Sequence, residues 1–319
     1  MLVDQPSNLL TIKPVTRHLT FPKPSNASWL QRYERWLFVA PATLMILFIA
    51  LFPLLYSIIV SFQNIDSRTP VGEFIGLKNY LDVFRDARFW NALRNTAVLM
   101  AVSVAVEVVF GLVLALALVG HLPGKRVLVP ILILPVVVAP LIVGYTWRML
   151  WDTQYGPINQ VLGWLLGRQI DLVWLANPTT VYPAILLTEI WQWTPFMFLV
   201  LLAGLTSINP EYREAAEMDG ATSVGVFRHI TLPLLWPVML VGILFRALDA
   251  FKLFDIVFAL TNGGPGTLTE TISLYAHTIG FRNFRISYTA ALTFVLLFIV
   301  SIAITFLWRR LTANEERLS

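Results

Sequence analysis

The sequence predicts an all-α polytopic membrane protein with six transmembrane helices. Three observations predict it. First, 57% of the 319 residues are hydrophobic and only 13% charged, whereas an average soluble domain carries about 25% charged residues. Second, the apolar residues are gathered into blocks of about 20 or more, the length that crosses a bilayer as a helix. Third, these blocks are apolar all round, whereas barrel strands alternate over about ten residues.

The blocks run over 37–60, 96–119, 127–150, 181–205, 233–260 and 288–308. Pro41, Pro53, Pro135, Pro140 and Pro195 fall inside them and predict kinks whose freed carbonyls are satisfied by neighbours. Trp147, Trp151, Trp174, Trp191 and Trp308 lie near predicted ends, where an amphipathic ring meets the membrane–water boundary. Ahead of the first block, 1–35 is polar and Pro-rich and reads as a tail, with an interfacial helix near 29–36; 311–319 reads as a second tail. The segment 76–94 alternates charge with Tyr80, Phe84, Phe89 and Trp90, a pattern that suits an interfacial amphipathic helix. Lys125, Arg126, Arg309 and Arg310 give the clearest orientation signal and place both termini in the cytoplasm. No internal repeat is visible.

The composition also excludes chemistry. With no cysteine there is neither a disulfide nor a thiolate metal site. The four histidines are scattered without metal-ligand spacing, so no metal or other cofactor is expected. The net charge of +4 comes without a basic tract interleaved with aromatics, which argues against a nucleic-acid partner. The stretch Gly120-His121-Leu122-Pro123-Gly124-Lys125-Arg126 is one residue short of a phosphate loop and lacks its Ser or Thr, so the chain is not expected to be an enzyme that hydrolyses ATP. No hydrolase signature occurs.

The loop 206–232 is the most informative stretch. Asn209 suits an N-cap, Pro210 the first helical position, Glu211 the positive end of the dipole, and Gly220 a left-handed stop. The result is a helix of about ten residues, a rod of about 15 Å. Ala215 and Ala216 permit close approach by another surface. From the residues alone, this is either a solvated connector or a docking rod.

Its motif is more specific. Glu214-Ala215-Ala216, Asp219-Gly220-Ala221, Phe227 and Ile230-Thr231-Leu232-Pro233 together resemble the EAA loop of bacterial ABC-importer permeases. Thr261-Asn262-Gly263-Gly264-Pro265 resembles the carbohydrate-uptake branch of that family, related to the larger maltose-transporter permease subunit but in the commoner six-span form. The resemblance covers about residues 35–310. It implies a type I ABC-importer transmembrane domain (MetI-like), with Glu214, Ala215, Ala216, Asp219, Gly220 and Ala221 on a coupling helix that docks into an ATPase subunit. It also implies a second permease subunit, two copies of the ATP-binding subunit, an extracytoplasmic solute-binding protein, and a place in the bacterial cytoplasmic membrane, surrounded by lipid.

Polar residues inside spans are the remaining candidates. Glu189, Gln192, Trp193 and Phe196 follow at i, i+3, i+4 and i+7, on one helical face. Arg246 and Asp249 are three apart, with Ala250 and Leu253 extending their stripe. Charge inside a bilayer is costly and marks either a solute path or helix–helix glue. The family alignment favours the path, because the sugar-contacting positions fall on Glu189, Gln192, Trp193, Phe196, Arg246, Asp249, Ala250 and Leu253. Lys252 and Asp255 are placed at its entrance, and Glu107 is read as a buried structural hydrogen bond. The rival reading is a self-contained secondary transporter with Glu189 and Asp249 as ion sites.

Overall fold

The computed structural model describes residues 29–67, 69, 71–120 and 123–315. Most of the predicted N-terminal tail, and 316–319 of the C-terminal one, lie outside these residues, as do His121 and Leu122 of the 120–126 loop. The parts of both tails that are described are helical.

Helix α1, Trp29–Ser61, joins the expected interfacial segment 29–36 to the first span without a break. Residues up to Leu55 form a unit distinct from Tyr56 onward. Within the first unit, Phe38, Met45, Phe48 and Phe52 are all well exposed. An apolar exposed helix of this kind has lipid or another chain as its solvent.

The second unit opens with a short antiparallel pair, β1 (Gln63–Asn64) and β2 (Glu73–Phe74), with Gln63 opposite Phe74. The interfacial helix expected over 76–94 is two helices, α2 (Lys78–Arg85) and the start of α3 (Ala87–Leu118). Asp86 divides them. Its backbone is extended and its side chain accepts a 2.8 Å bond from the Arg88 amide, an N-cap that ends one helix and starts the next.

The third predicted span is also corrected. Instead of one helix over 127–150 there are two, α4 (Lys125–Val137) and α5 (Pro140–Leu150), bent by 95°. Val138 and Ala139 are both extended. The ring of Pro140 disfavours the helical conformation for the residue before it, and Pro140 then suits the first position of a new helix. After α6 (Pro157–Leu166) comes α7 (Val181–Ser207), which carries Pro195 and holds to its predicted bounds.

Helices α8 (Pro210–Met218) and α9 (Ser223–Val226) follow, and a π-helical turn over Phe227–Thr231 leads into α10 (Leu232–Phe251). The wide turn falls just before Pro233, which has no N–H to offer the ladder. The fifth span stops at Phe251 rather than running to residue 260. Lys252 to Phe254 break it, and α11 (Asp255–Leu260) starts afresh. Helix α12 (Ile272–His277), a second π-helical turn over Thr278–Arg282, and α13 (Ile286–Glu315) complete the chain. Among the described residues four helical stretches are long and apolar enough to cross a membrane, and the bent α4–α5 pair makes a fifth. The apolar part of α13, Ile286–Ile302, is a shorter stretch that the helix itself prolongs.

Helices α3, α7 and α10 pack on one another at the centre of this unit. At Gly111 the backbone of α7 comes so close that an added Cβ would lie 2.9 Å from the Phe198 nitrogen. Small residues at crossings are how membrane helices gain van der Waals contact when lipid is as apolar as they are. Helix α5 packs against α11 over a core of Leu99, Trp151, Ile185, Ile256 and Leu260. The remaining cores join α2, α12 and α13 to the start of α3, and the ends of α3 and α7 to α10.

Candidate functional site

Along α7 two apolar layers bracket a polar one. Val181, Ala184 and Ile185 belong to one core, and Met197, Phe198, Leu201 and Leu205 to another. Between them Thr188, Glu189 and Gln192 are all buried. Buried polar groups are costly unless partnered, so the partners define the site.

The centre is Arg246 of α10, 1% exposed. Its Nε and Nη2 donate to the two oxygens of Glu107 on α3, at 2.7 and 3.1 Å. This fork-to-carboxylate geometry is the strong form of the charge-assisted hydrogen bond. Nη2 also donates to Glu189 Oε1, and Nη1 to Asp249 Oδ2 at 3.2 Å. The guanidinium carbon lies 4.7 Å from the centre of the Trp193 ring. One cation thus ties three spans together. Glu107, read from sequence as a buried structural hydrogen bond, is a full member of this cluster. Its signal was the general one, a carboxylate within an apolar span.

Beside the cluster lies a cavity of about 170 Å³, lined by Pro140, Glu189, Trp193, Asp249, Lys252, Leu253, Phe254, Asp255 and Ile256. The Asp249 side chain is 52% exposed, unlike its partner Arg246. Glu189 Oε2 is buried and has no partner. Both helix breaks reach this cavity, one through Pro140 and the other through Lys252, Leu253 and Phe254. Non-helical backbone at membrane depth needs its polar groups satisfied by protein or a cavity. Gln192 Nε2 donates to the Val138 carbonyl at 2.9 Å, and Thr271 Oγ1 to the Leu253 carbonyl at 2.7 Å, so each break has its own side-chain clasp.

The eight residues expected on the path therefore separate. Glu189, Trp193, Asp249 and Leu253 line the cavity. Arg246 stands behind it, bound by carboxylates. Gln192 is fully buried and clasps the first break, Ala250 is buried, and Phe196 packs edge-on against Trp193 at 6.5 Å without lining the cavity. Lys252 and Asp255, placed at an entrance from sequence, are in the lining itself.

The 206–232 loop is helical where expected. Asn209 Oδ1 accepts from the Glu211 amide at 3.1 Å, and Pro210 opens α8. At the other end Gly220 takes φ +82°, with Ala221 N–H bonding to Ala216 O at 3.0 Å and Gly220 N–H to Glu217 O at 3.1 Å. This is the Schellman stop, which only glycine enters without strain. Glu214, Ala215, Asp219, Gly220 and Ala221 are exposed, Ala216 half-buried, and Met218 is 88% exposed.

The Thr261–Pro265 motif forms a tight loop in which Thr269 Oγ1 donates to the Gly264 carbonyl at 2.7 Å. Nearby, Arg88 grips both oxygens of Glu270 at 2.7 Å. Asp86 Oδ2 accepts from the hydroxyls of Tyr275 and of Tyr288, the latter at 2.8 Å. Burial would raise the Asp86 carboxyl, but these two hydroxyls and the backbone amides of Arg88 and Phe89 outweigh it and hold it below the ordinary value.

The model of the family described as "binding-protein-dependent transport system inner membrane component" matches residues 87–315. The chain belongs to this family. It is a multi-pass permease of the inner membrane, similar over most of its length to other family members. A probable ABC transporter permease, y4oQ of Sinorhizobium fredii, is 35% identical over 85% of this chain and 88% of its own. The trehalose/maltose permease MalF of Thermococcus litoralis is 37% identical over 76% and 81%. Among solved structures, a chain of a bacterial ABC transporter that imports the acidic polysaccharide alginate has a TM-score of 0.76 over 89% of this chain and 96% of its own. At 22% identity that likeness shows the fold alone.

Proposed function

We propose that this permease is one of two membrane-spanning subunits of an ATP-driven importer for a saccharide or related polyhydroxylated solute. Relatives named for trehalose and maltose support the solute class. The observation that carries the reading is the pairing of an exposed, firmly capped α8 with a polar cavity set between two broken spans. In this reading α8 lies on the cytoplasmic side, as do both termini. There Glu214, Ala215, Ala216, Asp219, Gly220 and Ala221 meet one of two ATPase subunits, while a binding protein delivers solute to the opposite mouth. Closure of the ATPases turns the spans as rigid bodies. The carboxylates of Glu189 and Asp249 accept hydrogen bonds from solute hydroxyls, and Trp193 and Leu253 offer apolar surface to the C–H faces of a sugar ring. Arg246, Gln192, Ala250 and Phe196 hold that surface in place.

Uptake into proteoliposomes tests this. It is expected to require ATP, the ATPase subunit, the second permease and the binding protein together. Uptake by this chain alone under a proton or sodium gradient would overturn the proposal in favour of a secondary transporter.

A further inference from the structure

We infer that the cavity selects solutes by charge, admitting neutral and amine-bearing saccharides and turning away acidic ones; this rests on the reading of the cavity as the solute path. The argument is an inventory of what faces it. Glu189, Asp249 and Asp255 line the cavity, against the single cation Lys252. Arg246 behind the wall is offset by Glu107, so the balance stays negative. Its guanidinium is 1% exposed, its Nε and both Nη atoms already donate to Glu107, Glu189 and Asp249, and Trp193 lies against its face. Four of its five N–H bonds are so engaged, and the fifth, on Nη1, belongs to a guanidinium too deeply buried to meet an incoming carboxylate or sulfonate. The N-terminus of α5 at Pro140 contributes only about half a positive charge.

A second observation points to the ligand's chemistry. Glu189 is 2% exposed, and its Oε2 is a buried acceptor with no partner. Glu189 lines the cavity with this acceptor unfilled, and an acceptor is satisfied by a donor; hydroxyl and ammonium groups are donors. A solute carboxylate would bring a further acceptor and a further negative charge. Like charges brought together in a confined, poorly solvated space cost more than the same pair in water. Replacing Asp249 therefore changes which solutes are accepted as well as how fast they pass.

Because the chain has no cysteine of its own, Phe254→Cys places a single reporter thiol in the cavity wall, and Leu253→Cys is a second position should the first fail to assemble. The thiol is presented in the full complex, with the partner chains' cysteines replaced. Its rates of reaction are compared for a trimethylammonium-bearing and a sulfonate-bearing methanethiosulfonate. The ratio of cationic to anionic rate is expected to exceed that of a small free thiol by ~10-fold or more, the usual effect of a focused field. Adding Asp249→Asn is expected to lower it. A ratio equal to that of the free thiol, or one that Asp249→Asn leaves unmoved, overturns the inference. So does uptake of a uronate-bearing disaccharide as fast as its neutral counterpart. The thiol rates report the charge of the cavity whether or not a sugar is the solute, so failure of the saccharide reading and failure of this one are distinguishable.

Discussion

A guanidinium with carboxylates from three helices around it is far more costly to remove than any one of its partners. Arg246→Met leaves Glu107 and Glu189, both at most 3% exposed, without a counter-charge. Breaking a buried pair in this way costs about 3–5 kcal/mol. The expected result is loss of the complex from the membrane, read by immunoblot and by thermal unfolding in detergent. Asp249→Asn is different, because Arg246 keeps Glu107 and Glu189 and the altered side chain is already half exposed. That variant is expected to assemble with near-normal thermal stability and to transport poorly. Equal loss of assembly in both variants would make Asp249 a structural residue. The Arg246–Asp249 pair was legible in the sequence because its members are three residues apart on one helix. Glu107 was not placed in the cluster, because it lies 139 positions from Arg246 and only the α3–α10 packing brings them together.

At the scale of elements, the breaks are where helix geometry and function meet. Gln192→Leu removes the donor to the Val138 carbonyl. Leaving this part-buried acceptor unsatisfied costs at most about 1–3 kcal/mol, the figure for a buried one. The variant is expected to melt earlier while keeping its order of preference among solutes; a changed order would return Gln192 to the binding surface. In α8 the sensitive position is Gly220. Gly220→Val forces a β-branched residue to φ +82°, at about 1–2 kcal/mol, and frays the rod at the docking end. Insertion is expected to be normal and uptake lost, with weaker co-purification of the ATPase. Normal uptake with the ATPase still bound would remove α8 from the coupling path. Asp86 supplies a pH dependence. Its carboxyl is held below 3.8 in the folded chain, so its contribution is complete above that value and lost as pH falls through the lowered one. Hydrogen exchange in α12 is expected to differ between wild type and Asp86→Asn near neutral pH, and the two should converge in acid below 3.8. Helix ends set by a cap or a stop residue could be read from the chain, as at Asn209, Pro210 and Gly220. The break between α4 and α5 could not. Pro135 and Pro140 announce some distortion, but its size depends on whether a distant side chain, here Gln192, is present to satisfy the carbonyl that the bend frees.

For the whole molecule the apolar pattern located the long helical stretches in order, but neither counted the helices nor showed what covers them. Hydropathy does not distinguish a lipid-facing surface from one that faces another chain. The described spans bury little of themselves: 6% of the residues in the apolar window of the first, 28% in the second, and 50% in that of Val181–Ser207. For most of that surface lipid is an adequate solvent, but not for Asp249. A carboxylate facing hydrocarbon costs up to about 2.5–3.5 kcal/mol on insertion scales, the full figure applying at mid-span, and this one, in the last turn of α10, is 52% exposed within its own chain. If a second permease subunit closes the cavity and keeps it wet, the penalty vanishes in the complex and remains in the isolated chain. The permease expressed without its partner is therefore expected to reach a lower level in the membrane than with it, and Asp249→Leu is expected to raise the level of the lone chain while abolishing uptake by the complex. Membrane fractions probed by immunoblot with and without the partner measure both effects. Equal levels in the two cases would mean that this chain shields Asp249 by itself, and the cavity would then belong to one subunit rather than to the interface of two.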